Sequence, residues 1–144
     1  MTPDVNLLVA ASRSDHPHHA VAHAWLRESI LQAAAGRSLF VMPMVAASLL
    51  RLVTNSRVFA NPTPIAQAVA FIDALLSAPG VRMPEVGPEW PILRSLCLDK
   101  SLQANDLPDA WLAAAVRQHG DHLATFDADF RKLLKRSELT LLAG

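Results

Sequence analysis

Apolar residues recur along this chain in runs that proline and glycine punctuate. The clearest run is Ile65, Ala68, Val69, Ile72, Leu75 and Leu76, opened by Pro64 and closed by Pro79-Gly80. That 3.6-residue rhythm predicts an amphipathic helix. A second helix is expected through Val45, Leu49, Leu50, Leu52 and Val53, and a third from Pro17 through Val21, Ala24, Trp25 and Leu26 to Gly36. A fourth is expected to start at Pro108, whose missing N–H is no loss at a first helical position, and to run through Trp111, Leu112, Ala115 and Val116 to Gly120. Glu89 to Leu98 reads as a fifth, with Cys97 on its apolar side.

Short apolar segments lie between these helices: Leu39–Met42, Val81–Met83, His122–Thr125 and Leu139–Leu142. Strands alternating with helices imply βαβ units, hence an α/β domain with a parallel sheet covered on both faces. Ligands of such sheets bind beyond the carboxyl ends of the strands. Pro3-Asp4-Val5-Asn6 reads as a very short first strand turning into a helix, and Ala124-Thr125-Phe126-Asp127 reads as the end of a later strand.

At 144 residues the chain is expected to form one domain, 1–144. Its hydrophobic content of 51% excludes disorder. Thirteen basic and thirteen acidic residues cancel, so a polyanion is gripped locally rather than by bulk charge. Cys97 is the one cysteine and has no internal disulfide partner. The apolar run Leu39–Leu50 contains Pro43 and Ser48 and is too short to span a membrane. Asp4 stands where an export signal needs a basic start. A soluble, cytoplasmic protein is the expectation.

Aspartate outnumbers glutamate nine to four, and Asp106, Asp109, Asp121, Asp127 and Asp129 crowd into one stretch. Taken singly, each is as well explained by helix capping and turns. Asp4, Asp109 and Asp127, however, all fall where strands end or a helix begins, and can converge on one sheet edge. Converging carboxylates need a cation. Hard oxygen donors without a thiolate or imidazole set suit Mg²⁺ or Mn²⁺, which organise phosphodiester hydrolysis.

Five blocks carry a wider pattern: Asp4-Val5-Asn6-Leu7-Leu8, His16-Pro17-His18-His19, the stretch from Leu50 to Phe59, Pro108-Asp109-Ala110-Trp111-Leu112-Ala113-Ala114, and Ala124-Thr125-Phe126-Asp127-Ala128-Asp129-Phe130. In order and spacing the chain resembles PIN-domain ribonucleases of the VapC type, the toxins of bacterial toxin–antitoxin pairs. The resemblance implies a three-layer α/β/α sandwich with a mostly parallel central sheet and Mg²⁺-dependent cleavage of RNA to 5′-phosphate and 3′-hydroxyl ends. It also implies a VapB-like antitoxin partner and a homodimer whose sites face a shared groove. Residue by residue, it places metal binding and catalysis on Asp4, Asp109 and Asp127, with Asn6 and Thr125 beside them. Asp106 and Asp129 are supporting candidates. One departure stands out: many members carry a Glu on the helix after the second strand, a position that reads here as Ala46, and no acidic residue occurs from Ser29 to Ile72.

Other features have plainer readings. Asp15, His16, His18, His19 and His23 have the composition of a transition-metal cluster but lie at a helix start, where polar residues cap. Cys97 is expected to be a buried structural thiol. Trp25, Trp90 and Trp111 fall in apolar helical patterns and are expected in the core. Arg51 and Arg57 are candidates for a phosphate or a carboxylate partner. Arg131, Lys132, Lys135 and Arg136 read as a solvated helix face, or as an RNA-backbone contact. Asp121, in the turn after Gly120, is expected to be idle. Helices 17–34 and 44–54 are expected to form a groove for an amphipathic antitoxin helix. Two rival readings remain: a catalytically silent member that only binds antitoxin or RNA, favoured by Ala46, and a phospho-acceptor signalling domain. The latter would need a lysine at the site, which Lys132 and Lys135 fit poorly.

Overall fold

Asp4 turns the chain from strand to helix within one residue. In the computed structural model, which describes residues 1–144, β1 is only Thr2–Pro3 and α1 is Val5–Ser12. Asp4 between them is extended, and its carboxylate accepts the Val5 N–H at 2.7 Å, capping the helix. There follow α2 (His19–Ala34), β2 (Leu39–Phe40), α3 (Pro43–Val53), α4 (Ile65–Ser77), β3 (Val81–Arg82) and α5 (Trp90–Asp99). The chain closes with α6 (Asp106–Gln118), β4 (Leu123–Thr125), 3₁₀ turns at Ala128–Lys132 and Arg136–Glu138, and β5 (Leu139–Leu141).

The elements match the periodicity, but several ends move. β2 stops at Phe40, because Met42 already caps α3 and Pro43 opens it. α6 starts at Asp106, ahead of Pro108. Proline is tolerated there because none of the first four helix N–H groups has an intrahelical acceptor. The basic residues after Phe130 lie on two 3₁₀ turns rather than one helix, and all four are exposed.

Every ladder is parallel: β1 with β4, β4 with β5, and β2 with β3. The Phe40 N–H donates to the Met1 carbonyl at 2.9 Å, joining β2 to the free side of β1. The order across the molecule is therefore β3-β2-β1-β4-β5. The chain steps outward from β1 to β3, then returns to lay β4 on the other side of β1. Right-handed crossovers place the outward and returning helices on opposite faces. Accordingly α1 to α4 pack among themselves, and α5 packs with α6. The reversal between β1 and β4 opens a crevice at their carboxyl ends, which is where an open α/β sheet offers a ligand site.

The core runs through both layers. Leu7, Leu8, Leu39, Met42, Leu49, Leu123 and Phe130 are fully buried, each contributing about 1.5–3 kcal/mol of apolar burial. The small residues Ala110 and Ala113–Ala115 let α6 lie close to its neighbours. Gly80, at φ +79°, permits a tight approach that no side chain would allow: an added Cβ would overlap the Ala33 carbonyl. Arg13 is buried between Asp15, the Thr63 hydroxyl and the Asn61 carbonyl, with its guanidinium 3.9 Å from the Phe59 ring centre. It ties the loop after α3 to the end of α1. No helix is long and apolar enough to cross a membrane.

Three expectations about the core fail. Trp25 packs against the core, but Trp90 is 61% exposed and Trp111 is 38% exposed, because α5 and the start of α6 have no further layer above them. Cys97 is half-buried rather than enclosed. Asp121 is not idle. It accepts from the Met1 ammonium and, at 2.6 Å, from the Thr2 hydroxyl, and so pins the start of β1 beside the turn that leads into β4.

Candidate functional site

The crevice between β1 and β4 is acidic. Asp4 ends β1 and is almost wholly buried; Thr125 ends β4 and is fully buried. The Thr125 hydroxyl donates to the second oxygen of Asp4 at 2.7 Å and accepts the Asp127 N–H at 3.0 Å. One threonine therefore orients two acidic residues. Asp127 in turn starts a 3₁₀ turn, its carboxylate accepting the Asp129 N–H at 2.9 Å. Half-buried Asp109 enters from the first turn of α6, where Asp106, accepting the Gln103 N–H, closes the preceding loop.

The charges feel one another. Burial is the largest influence on Asp109, and the negative charges of Asp4, Asp127, Asp129 and Asp106 add to it, pushing its pKa up to about 6. Burial also raises Asp4; the hydrogen bonds from Thr125 and Val5 oppose this, the charge of Asp127 reinforces it, and the balance stays above the ordinary aspartate value. Such mutual repulsion is what a shared cation relieves. The oxygens do not close around a point: nowhere do three groups of metal-ligating type lie close enough to share one ion. Both oxygens of Asp4 are engaged, by the Val5 N–H and the Thr125 hydroxyl, and one oxygen of Asp127 is engaged by the Asp129 N–H.

Beside the carboxylates lies a cavity of about 400 Å³ whose wall includes Asp4, Asp109, Ser48 and Trp111 and is otherwise mostly apolar. Helix α6 lines it with Pro108, Asp109 and Trp111, and the charges of Asp127 and Asp129 act on Asp109 from the Thr125–Phe130 segment. The sequence matches the PIN domain family over residues 1–135. The chain belongs to the PIN-domain family.

Two relatives indicate how close the kinship runs. This PIN domain is 37% identical over 130 residues to Ribonuclease VapC31 of Mycobacterium tuberculosis, covering 90% of this chain and 89% of the relative. It is 36% identical over 140 residues to Ribonuclease VapC43 of the same organism, covering 94% and 93%. Its fold matches the crystal structure of VapBC2 from Rickettsia felis bound to a DNA fragment from their promoter, with a TM-score of 0.65 at 17% identity over 98% of this chain and 96% of the other.

Of the residues singled out from sequence, the PIN domain brings Asp4, Asp109, Asp127 and Thr125 to one crevice, with Asp106 and Asp129 close enough to repel Asp109. Asn6 is exposed on α1 and makes no side-chain hydrogen bond. Ala46 does not look into the site: it is buried in the core, and the residues of α3 on the cavity wall are Met44, Val45 and Ser48. Ser48, two residues further along the helix, lines the cavity that Asp4 and Asp109 also line. Of the helices expected to form an antitoxin groove, α2 and α3 both pack on α1; α2 lines a cleft of about 440 Å³ with α4, and α3 lines the cavity beside the carboxylates with α5 and α6.

The remaining candidates are structural or solvated. His16 accepts the His18 N–H, the His18 ring stacks on Phe126 at 4.9 Å, and His19 contacts the Ala10 carbonyl. Arg51 and Arg57 are exposed and pair with no carboxylate. Lys132, by contrast, lines a second cavity with Lys100, Asp109 and Asp129, a placement that the helix-face reading missed.

Proposed function

We propose that this PIN domain is a metal-dependent endoribonuclease and the toxin half of a toxin–antitoxin pair, with a VapB-like antitoxin as its partner. Relatives named as VapC ribonucleases support the nuclease class, and the likeness of the chain's motifs to VapC toxins supports the toxin role. The observation that carries the chemistry is the position of Asp109, half-buried at the switch point and pushed to about 6 first by that burial and then by four neighbouring carboxylates. An all-oxygen, strongly anionic donor set fits a small hard cation, Mg²⁺ or Mn²⁺.

Asp4, Asp109 and Asp127 are the residues that would hold it, and a homodimer is the expected assembly. When bound, the cation neutralises these charges, polarises the phosphate and makes a water more acidic. The protein does the positioning. Val5 and Thr125 fix the two oxygens of Asp4, and Thr125 and Asp129 fix Asp127, so these two residues are held at the crevice and a cation would have only to draw the carboxylates together. Water attacks phosphorus, the bond to the 3′ oxygen breaks, and that oxygen takes a proton. The products are a 3′-hydroxyl and a 5′-phosphate.

The test is hydrolysis of single-stranded RNA with Mg²⁺. Wild type is expected to cut, EDTA to abolish cutting, and Asp109→Asn to slow it by orders of magnitude while the fold is kept. Undiminished cleavage by Asp109→Asn, or cleavage insensitive to EDTA, would refute the reading. RNA bound but never cut would favour the silent binder.

A further inference from the structure

Asp109 belongs to the walls of two cavities of opposite character. The first is the cleft of about 400 Å³ shared with Asp4, where the apolar lining includes Val5, Met44, Leu93 and Leu112. Its one aromatic residue is Trp111, two positions after Asp109 on α6. The second cavity, of about 650 Å³, is lined by Lys100, Asn105, Asp106, Asp129 and Lys132.

Trp111 is held, not merely present. Its indole N–H donates to Glu89 at 2.8 Å. Glu89 is buried, and its other oxygen takes the Gly87 N–H. Burial alone would raise the Glu89 pKa, but the bonds from Trp111, its own backbone and Gly87 outweigh that and hold it below the usual range. A buried carboxylate thus fixes the orientation of a ring that remains more than a third exposed, although full burial of a tryptophan would stabilise the fold more. Lys100 and Lys132 are exposed, and neither is in an ion pair. The loop presenting Lys100 contains two non-glycine residues at positive φ, Ser101 at 50° and Ala104 at 47°. Such backbone strain costs about 1–2 kcal/mol per residue.

The occupant that matches both cavities alternates apolar rings with negative charge. The chain has no net charge with which to attract a polyanion in bulk, so two free lysines beside the acidic crevice are the local complement to phosphate. We propose that a single-stranded RNA crosses Asp109 with one unpaired base stacked on Trp111 in the apolar cleft and an adjoining phosphate against Lys100 and Lys132. This inference rests on the ribonuclease reading and deepens it. It makes Trp111 a substrate-binding residue that selects unpaired RNA, because a base held in an A-form duplex cannot swing into the cleft.

Short random-sequence single-stranded RNA is given to wild type with Mg²⁺, and a cut phosphodiester is mapped from the products. Abasic nucleotides are then placed one at a time on either side of it. One position is expected to raise KM by about 5- to 150-fold, the range corresponding to one base stacked on an aromatic ring, with kcat nearly unchanged. Trp111→Ala is expected to raise KM on the intact substrate by the same factor and to be indifferent to the abasic site at that position. Trp111→Phe, which keeps a ring, falls between. Lys100→Gln with Lys132→Gln flattens the salt dependence of binding.

The proposal is overturned if no abasic position affects wild type, or if Trp111→Ala still loses the full factor on the abasic substrate. Either result assigns the cleft to a protein segment. Should Trp111→Ala fail to fold because Glu89 loses its donor, the abasic scan of wild type decides alone. Failure of the ribonuclease reading looks different: wild type cuts no RNA at all.

Discussion

Removing one negative charge from a crowded crevice should stabilise the metal-free protein, and Asp109→Asn tests this most directly. Its carboxyl is pushed to about 6 by burial and by Asp4, Asp127, Asp129 and Asp106. Because this folded-state pKa lies above the unfolded value of about 3.9, the protonated form favours folding. That contribution is complete below pH about 4 and is lost as pH rises through about 6. The interval corresponds to at most about 3 kcal/mol. Asp109 is only half-buried, so solvent screening reduces the expected penalty at neutral pH to about 1–1.5 kcal/mol. For a domain of this size that is about 3–6 °C in Tm. Thermal unfolding in EDTA should therefore show Asp109→Asn melting about 3–6 °C above wild type at pH 7.5 and level with it near pH 4. Adding Mg²⁺ should reverse the order, since only wild type keeps all three proposed ligands. A Tm difference in EDTA that does not change between pH 4 and 7.5 would refute the reasoning.

Ser48→Glu adds a carboxylate from the cavity wall and should tighten Mg²⁺ binding in calorimetry, whereas Ala46→Glu forces a charge into the core and should unfold the protein by several kcal/mol. Thr125→Val leaves Asp4 and the Asp127 N–H without their shared partner; urea denaturation should show a loss of about 1–3 kcal/mol. Asp121→Asn should lower stability by about 1–2 kcal/mol in a chain with a free amino group at Met1, and this loss should shrink when the amino group is acetylated. Gly80→Ala forces a Cβ into the Ala33 carbonyl at positive φ and should cost at least about 2 kcal/mol by the same measurement.

The local features of this protein were legible in its residues. Helices α3, α4 and α6 follow a periodicity that any burial of one face imposes; Asp4 and Asp127 stand at element ends because aspartate caps helices and turns, and Asp109 stands in the first turn of α6, where the helix dipole favours an acid. Those two facts alone were enough to place three carboxylates near one sheet edge. Three kinds of information came only from the assembled chain. The strand order that turns an edge into a crevice depends on pairing β1 with β4, more than a hundred residues apart, and no local pattern encodes partner choice. Asp121 gained its role in the same way, from the parallel pairing that sets Met1 and Thr2 beside the residues just before β4. The direction in which a helix residue points was the third. Ala46 and Ser48 are two residues apart on α3, yet one is buried in the core and the other lines the cavity beside Asp4 and Asp109, because two steps turn a 3.6-residue helix through more than half a revolution. Trp111 reads as core by its spacing but lies at a cleft wall, since periodicity shows which face of α6 is apolar and only packing decides how much of that face is covered.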